Sequence, residues 1–401
     1  MDLFGIRLRR TKGPLTWVAV VGLVCWLFGG SAARGVDPKP TRPMTEVELE
    51  KSIQRGIRFL LQDQNKDGSW GTAQRTKDLN IFAPVPGSHQ AFRSAVTALC
   101  VAALIETGAV DRDADAALAV DRGGDWLLQN LPNLRRADAM AIYNVWSHGY
   151  GIHALVDMLR RAAQDPQRAE EIKECLATQI DLLRRYESVD GGWGYYDFKV
   201  GAKRPSSDST SFVSATVLIA FHEAREMGIE IPQDLSSRAI ATLHRQRKRD
   251  FSYSYEEDLK MRPMMPVNRP GGSLGRSQAC NLALRLWGDK TITDTVLTDW
   301  LDRLVTRNGW LSIGRKRPIP HESWFQVAGY FFYYGHYYAA LCLGQLDAAN
   351  AARYRGDLAA ILLPLQEKDG SWWDFPLYNY HQQYGTAFAL MSLHRCRKPS
   401  P

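Results

Sequence analysis

Three short stretches of this chain read almost alike: Asp67-Gly68-Ser69-Trp70, Asp190-Gly191-Gly192-Trp193 and Asp369-Gly370-Ser371-Trp372. A looser copy, Asn308-Gly309-Trp310, precedes the last of them, and the intervals are multiples of roughly 60 residues. Before each copy stands a helical stretch, as in Ile53, Ile57, Leu60 and Leu61. After it comes a more apolar one, as in Ser94 to Leu104. Leu131 and Tyr253 fill the gaps in the rhythm. The landmarks Trp70, Leu131, Trp193, Tyr253, Trp310 and Trp372 then mark six units of two helices each.

The turn residues have separable jobs. Glycine supplies positive φ where a helix must stop abruptly, and aspartate accepts from nearby backbone N–H groups. Tryptophan adds a large apolar face with one N–H for a neighbouring helix end. Gln64, Asp67, Gly68, Trp70, Gly192, Trp193, Trp310, Gln366, Gly370 and Trp372 are therefore read as structural turn residues. A helix apolar on every side must be buried, and the second helix of each unit fits that description. Six such hairpins close into a ring. The expected fold is all-α, an (α/α)6 toroid with apolar inner helices and the Gly-Trp turns at one end, forming a single domain over residues 46–397.

Gln64-x-x-Asp67-Gly68-Ser69-Trp70 and Gln366-x-x-Asp369-Gly370-Ser371-Trp372 resemble the QW repeat of squalene-hopene cyclases and related terpenoid cyclases, whose toroid is shared with protein prenyltransferase β subunits. The resemblance runs from Glu46 to about Arg397 and implies the toroid; the fold also serves proteins that bind without catalysing. The cyclases carry an Asp-x-Asp-Asp acid motif and two fused toroids. This chain has residues for one toroid and no such string. Its nearest approach, Asp111-Arg112-Asp113-Ala114-Asp115, reads as a loop capping the next helix. The zinc-binding Asp-x-Cys of the prenyltransferases is missing too, although Tyr380-His381 resembles their histidine element. Zinc would have to come from Asp208, His321, His381, Glu322 or His89, and no metal and no cofactor are expected. A Cys-Gly-Glu-Gln thioester string is absent, and a sugar-cleaving carboxylate pair would have to be Asp208 and Glu322.

Aromatic residues crowd the inner helices, above all Tyr330 to Tyr338. Phe92, Tyr143, Trp146, Phe212, Trp324, Tyr330, Tyr334 and Tyr384 are the residues expected to face a ligand, while His148 and His153 read as core. The function this supports is binding of an apolar, isoprenoid-like ligand or a protein partner. The alternative is an isoprenoid cyclase or transferase using a nonstandard acid, with Asp208, Glu322 and His381 as its catalytic residues. A carbohydrate-active toroid ranks third.

Arg7, Arg9, Arg10 and Lys12 precede an apolar run from Leu15 to Phe28 and the small residues up to Ala33, the pattern of a signal peptide over residues 1–33. A Pro-rich linker follows over 34–45. The chain is expected to be exported, with an uncleaved membrane anchor as the alternative. Residues 1–33 hold about +3 of the formal +7, so the remainder is only mildly basic: no nucleic-acid partner is expected, and peripheral contact with a membrane is. Cys100, Cys175, Cys280 and Cys342 lie in apolar helical surroundings and read as buried thiols. The Pro- and Gly-rich stretch from Asp250 to Gly275 interrupts the repeat and is expected to cover the mouth of the ring.

Overall fold

The computed structural model describes residues 45–77, 86–134, 144–195 and 209–398. The expected signal segment and the linker up to residue 44 lie outside them, as do Tyr143 and Asp208. In chain order the helices are α1 (Glu46–Asp63), α2 (Pro86–Glu106), α3 (Ala114–Asn130), α4 (Asn144–Arg161), α5 (Pro166–Tyr186), α6 (Ser211–Glu226) and α7 (Gln233–Gln246). There follow α8 (Ser277–Leu286), α9 (Asp294–Thr306), the short α10 (Asn308–Ser312), α11 (Phe331–Cys342), α12 (Ala348–Leu362) and α13 (His381–Arg395). Among the described residues there are isolated β-bridges but no strand.

Two kinds of helix alternate. Helix α1 starts with a capping box between Thr45 and Glu48 and buries one stripe, Leu49, Ile53, Ile57 and Leu60, leaving its charges in solvent. Helices α3, α5, α9 and α12 are likewise amphipathic, and Asp113, Asp165, Thr293 and Asp347 cap them by accepting from first-turn N–H groups. By contrast, α11 is buried at every position but Leu341, and α6 from Ser211 through Phe221. Such helices have no solvent face to offer and must be enclosed.

Enclosure is achieved by a closed circuit. Helices α2, α4, α6, α8, α11 and α13 pack each on the next, and α13 packs back on α2. The other long helices form the outer wall: α3, α5, α7 and α9 each lie against the inner helix that precedes them. The last inner helix, α13, packs on α1, so the first and last described helices complete one wall unit together. Arg397 pairs with Glu50 at 2.6 Å, and Thr72 bridges to Asn379.

The Gly-Trp turns hold this arrangement at one rim with the same bonds each time. The indole N–H of Trp70, Trp193 and Trp372 donates to the carbonyl ten residues earlier, Leu60, Leu183 and Leu362, at 2.8, 2.8 and 3.0 Å. The backbone N–H of the same tryptophans donates to a hydroxyl on the following inner helix: Thr97, Ser214 or Thr386. Each turn thus clips an outer helix end to an inner helix. Gln64 donates to the Gly68 carbonyl and to that of Ala119 on α3; Gln366 donates to Gly370 and to Ser52 on α1. The last repeat therefore grips the first helix by the contact with which the first repeat grips α3.

Two landmarks behave differently from one another. Asp250-Phe251-Ser252-Tyr253 keeps the turn, with Ser252 N–H donating to Asp250 and Phe251 taking φ +59° where the other copies place glycine. At Asn308-Gly309-Trp310 the expected turn is replaced by α10, and Trp310 stays 38% exposed against Phe325. The reason is register. In Arg307-Asn308-Gly309-Trp310 the glycine stands one place late and arginine occupies the aspartate position, so neither the positive φ nor the side-chain acceptor is available where the turn needs it.

Candidate functional site

Inside the ring lies a cavity of about 440 Å³. Its wall is aromatic: Trp146 and Tyr150 of α4 stack at 5.4 Å, Phe212 of α6 meets Phe331 of α11 edge-on at 4.8 Å, and Phe388 and Tyr384 come from α13. Phe92, Ala95, Val96 and Leu99 of α2 supply the smaller side chains. Of the ligand-facing residues expected from sequence, Phe92, Trp146, Phe212, Tyr330, Tyr334 and Tyr384 line this space. Trp324 does not: it is 78% exposed, because residues 320–330 leave the helical register and turn its side chain to solvent.

Polar atoms collect at one pole. The hydroxyls of Tyr195, Tyr255 and Tyr330 contact one another, and Tyr330 and Tyr255 also approach His321 Nε2 at 3.2 and 3.5 Å. His321 donates from Nδ1 to the Gln326 carbonyl at 2.6 Å, so its Nε2 presents a lone pair to the tyrosines. Burial lowers its pKa against that carbonyl's opposing pull, with buried Arg276 lowering it further. The imidazole is neutral. Both His321 and Gln326 hold left-handed backbone, φ +62° and +55°, a cost the chain retains where it fixes this ring.

Arg276, fully buried, spends its guanidinium on the carbonyls of Gly272, Tyr253 and Val267 and lies 5.6 Å from the Tyr255 ring. Asn268 accepts from Tyr255 N–H and donates to the carbonyls of Leu259 and Arg262. The stretch from Asp250 to Gly275 is thereby pinned to the ring and contributes Tyr255 as a wall of the cavity.

Among the described residues that line the cavity none is acidic. A carboxylic acid lies directly behind it. Asp374 is fully buried; Tyr384 Oη donates to its Oδ1 at 2.6 Å and Tyr333 N–H to its Oδ2 at 2.9 Å. Burial raises its pKa to about 7, the two hydrogen bonds notwithstanding. Nothing in the local sequence, Trp372-Trp373-Asp374-Phe375, distinguishes it from a surface aspartate beside a turn.

Of the candidate catalytic trio, the two described residues stand apart from the cavity. Asp208 lies outside the described residues. Glu322 pairs with Arg317 at 2.8 Å on the exterior and lines no part of the cavity. His381 is buried outside the cavity, donating from Nδ1 to the Tyr378 carbonyl at 2.7 Å with its ring edge-on to Trp373; burial pushes its pKa down to about 4. Its place as the first residue of α13 draws it into the preceding turn. His89 bonds the Tyr380 hydroxyl, and the His321 and His381 imidazoles do not converge on a shared point.

A closed double ring of helices around an aromatic hollow is the α/α-toroid fold. Searched against known protein families, the chain matches none. Among solved structures it is similar to the type II terpene cyclase MstE from Scytonema, at 16% identity over 88% of this chain and 98% of that chain with a TM-score of 0.50. It is also similar to two proteins described as possible members of the GH105 family, each at 10% identity over 91% of this chain and 97% of the other. The one from Salmonella enterica gives a TM-score of 0.50 and the one from Klebsiella pneumoniae 0.52. These likenesses show the toroid.

Proposed function

We propose that the ring binds an apolar, isoprenoid-like molecule in its aromatic cavity, with an uncharged polar end lodged against Tyr195, Tyr255, Tyr330 and His321. The observation that carries this reading is the segregation within the cavity: aromatic and aliphatic walls everywhere, hydroxyls and one neutral imidazole at a single pole. Its volume falls within the roughly 300–1,000 Å³ usual for small-molecule sites. A neutral donor–acceptor cluster suits a hydroxyl or carbonyl; among the described residues that line the cavity none is a cation, and Arg276 behind Tyr255 is committed to backbone carbonyls.

Loading from a membrane surface fits the rim. Ile319 and Trp324 are exposed and flank Pro320 and His321, which line the cavity. No helix among the described residues is long and apolar enough to cross a membrane. The basic and apolar character of residues 7–28 supports action outside the cytoplasm.

The test is to purify the full chain, extract it with organic solvent, identify any bound lipid by mass spectrometry, and titrate the extracted protein with a linear prenyl alcohol while following tryptophan fluorescence. Saturable quenching that disappears in Trp146→Phe is expected. An extract free of lipid together with no saturable quenching would remove the reading.

Catalysis is the second reading, and Asp374 favours it. A buried acid whose pKa is raised to about 7 can hold a proton directly behind the cavity wall, hydrogen-bonded to Tyr384, whose ring lines that cavity. Turnover of a linear isoprenoid that Asp374→Asn abolishes, with prenyl-alcohol binding retained, would establish it.

A further inference from the structure

At the rim away from the Gly-Trp turns, the inner helices end on a cluster that none of the preceding roles uses. Glu106 is the last residue of α2, His153 and Asp157 stand one turn apart on α4, and Glu223 lies in the final turn of α6. One ligand atom from each of Glu106, His153 and Asp157 lies within 4.8 Å of the other two. The hydrogen bonds around them share a pattern. His153 donates from Nδ1 to Glu223 Oε2 at 2.6 Å, which leaves Nε2 facing Glu106 Oε1 at 2.9 Å. Arg395 holds the other Glu106 oxygen, and Arg160 holds Asp157 Oδ1 at 2.7 Å. Asp157 is 4% exposed, and its Oδ2 has no hydrogen-bond partner. Asp157 thus keeps one buried oxygen without a partner, beside a carboxylate and an imidazole that are each held from behind; Tyr337 Oη lies 3.3 Å from His153 Nε2 as well.

We propose that Glu106, His153 and Asp157 form a binding site for one divalent first-row transition ion, such as zinc or manganese, at the far end of the ring. Two carboxylate oxygens and one imidazole nitrogen are the donor set such ions accept, and three protein ligands leave a position for water. Glu223 stands where a carboxylate fixes the tautomer of a metal-bound histidine and raises its basicity. Arg395 and Arg160 restrict the two carboxylates to one ligand oxygen apiece. The ion ties the ends of α2 and α4 together and, through Glu223, reaches α6. Tyr150, nearly one turn before His153 on α4, lines the aromatic cavity, so the ion braces that cavity's floor.

The experiment uses the full chain, stripped with a chelator and titrated with Co²⁺ by visible absorption and with Zn²⁺ by calorimetry. One equivalent, accompanied by a rise in Tm, is expected. Asp157→Asn should weaken binding at least about tenfold. Should that variant fail to fold, one equivalent of Co²⁺ added to the unmodified chain must shift a single buried imidazole in the proton NMR spectrum. The absence of a stoichiometric ion would overturn the proposal. So would equal binding by a folded Asp157→Asn, or shifts confined to the more exposed His222 and His244.

Discussion

Glycine-to-alanine substitutions can separate the two demands made on the turn glycines. An alanine Cβ at Gly370 would lie 2.6 Å from the Arg55 carbonyl oxygen of α1, with φ at +95°. Gly228 also has positive φ, +78°, yet an added Cβ there would meet nothing within 4 Å. Gly356 sits in helix α12 with ordinary φ and open space. Left-handed backbone costs an alanine about 1–2 kcal/mol, and the lower entropy of the unfolded alanine chain returns about 0.4–1 of it. Gly228→Ala should therefore lose about 1 kcal/mol. Gly370→Ala carries the same cost plus about 1–3 kcal/mol for forcing α1 away from the turn, about 2–4 in all. Gly356→Ala should gain about 0.5–1 kcal/mol, as expected of an exposed helix interior. Denaturant unfolding followed by circular dichroism at 222 nm gives the ranking, and limited proteolysis should show α1 released first in Gly370→Ala. Equal stability of Gly370→Ala and Gly228→Ala would refute the claim that the last turn and the first helix close the ring through backbone contact.

The indole bonds give a parallel series: Trp70→Phe, Trp193→Phe and Trp372→Phe each leave a buried carbonyl unpaired and a small void, so each should lose about 2–3 kcal/mol in the same unfolding assay. His148 and His336 are buried and neutral, donating to Gln179 and to the Phe332 carbonyl, and burial holds both pKa values at about 4. Because these lie below the unfolded value, the stability they contribute is full above about pH 6.5 and lost as pH falls toward 4, roughly 3 kcal/mol for each; imidazole NMR should find neither titrating between pH 5 and 8. Tyr330→Phe removes one hydroxyl from the polar pole and should weaken binding of a prenyl alcohol about 5- to 10-fold, about 1 kcal/mol, while leaving binding of the corresponding hydrocarbon unchanged in the fluorescence titration. Trp324→Ser should leave affinity for dissolved ligand intact and reduce sedimentation with lipid vesicles.

The fold was readable because its signals are local. An Asp-Gly-x-Trp string states a turn by itself, and helices such as α6 and α11 announce burial by composition alone. The same reasoning misjudged Asn308-Gly309-Trp310, where a one-residue displacement of glycine turns a clip into a helix. Most of the cavity wall was legible too, since aromatic residues on inner helices have few places to point. Chemistry was harder to see because it is made across repeats. Asp374 gains its character from Tyr333 and Tyr384 on two other elements, and Glu106, His153 and Asp157 meet only because α2 and α4 end side by side. Glu322 and His381 looked suitable by type and position along the chain. Their side-chain directions, set by the Arg317 pair and the Tyr378 carbonyl, take them away from the cavity.

A hollow at the centre of so well packed a ring requires explanation, since interiors ordinarily close to crystal-like density and a void costs free energy in proportion to its size. The answer lies in what the walls are made of. Flexible aliphatic side chains would swing inward and fill the space. Here the hydroxyl of Tyr334 donates to the Phe212 carbonyl at 2.9 Å and that of Tyr384 to Asp374 at 2.6 Å. A ring tethered at both its Cβ and its hydroxyl has no rotamer left that reaches the centre, and the remaining rings brace one another edge-on. The cavity is thus maintained by hydrogen bonds made at the far ends of the side chains that line it.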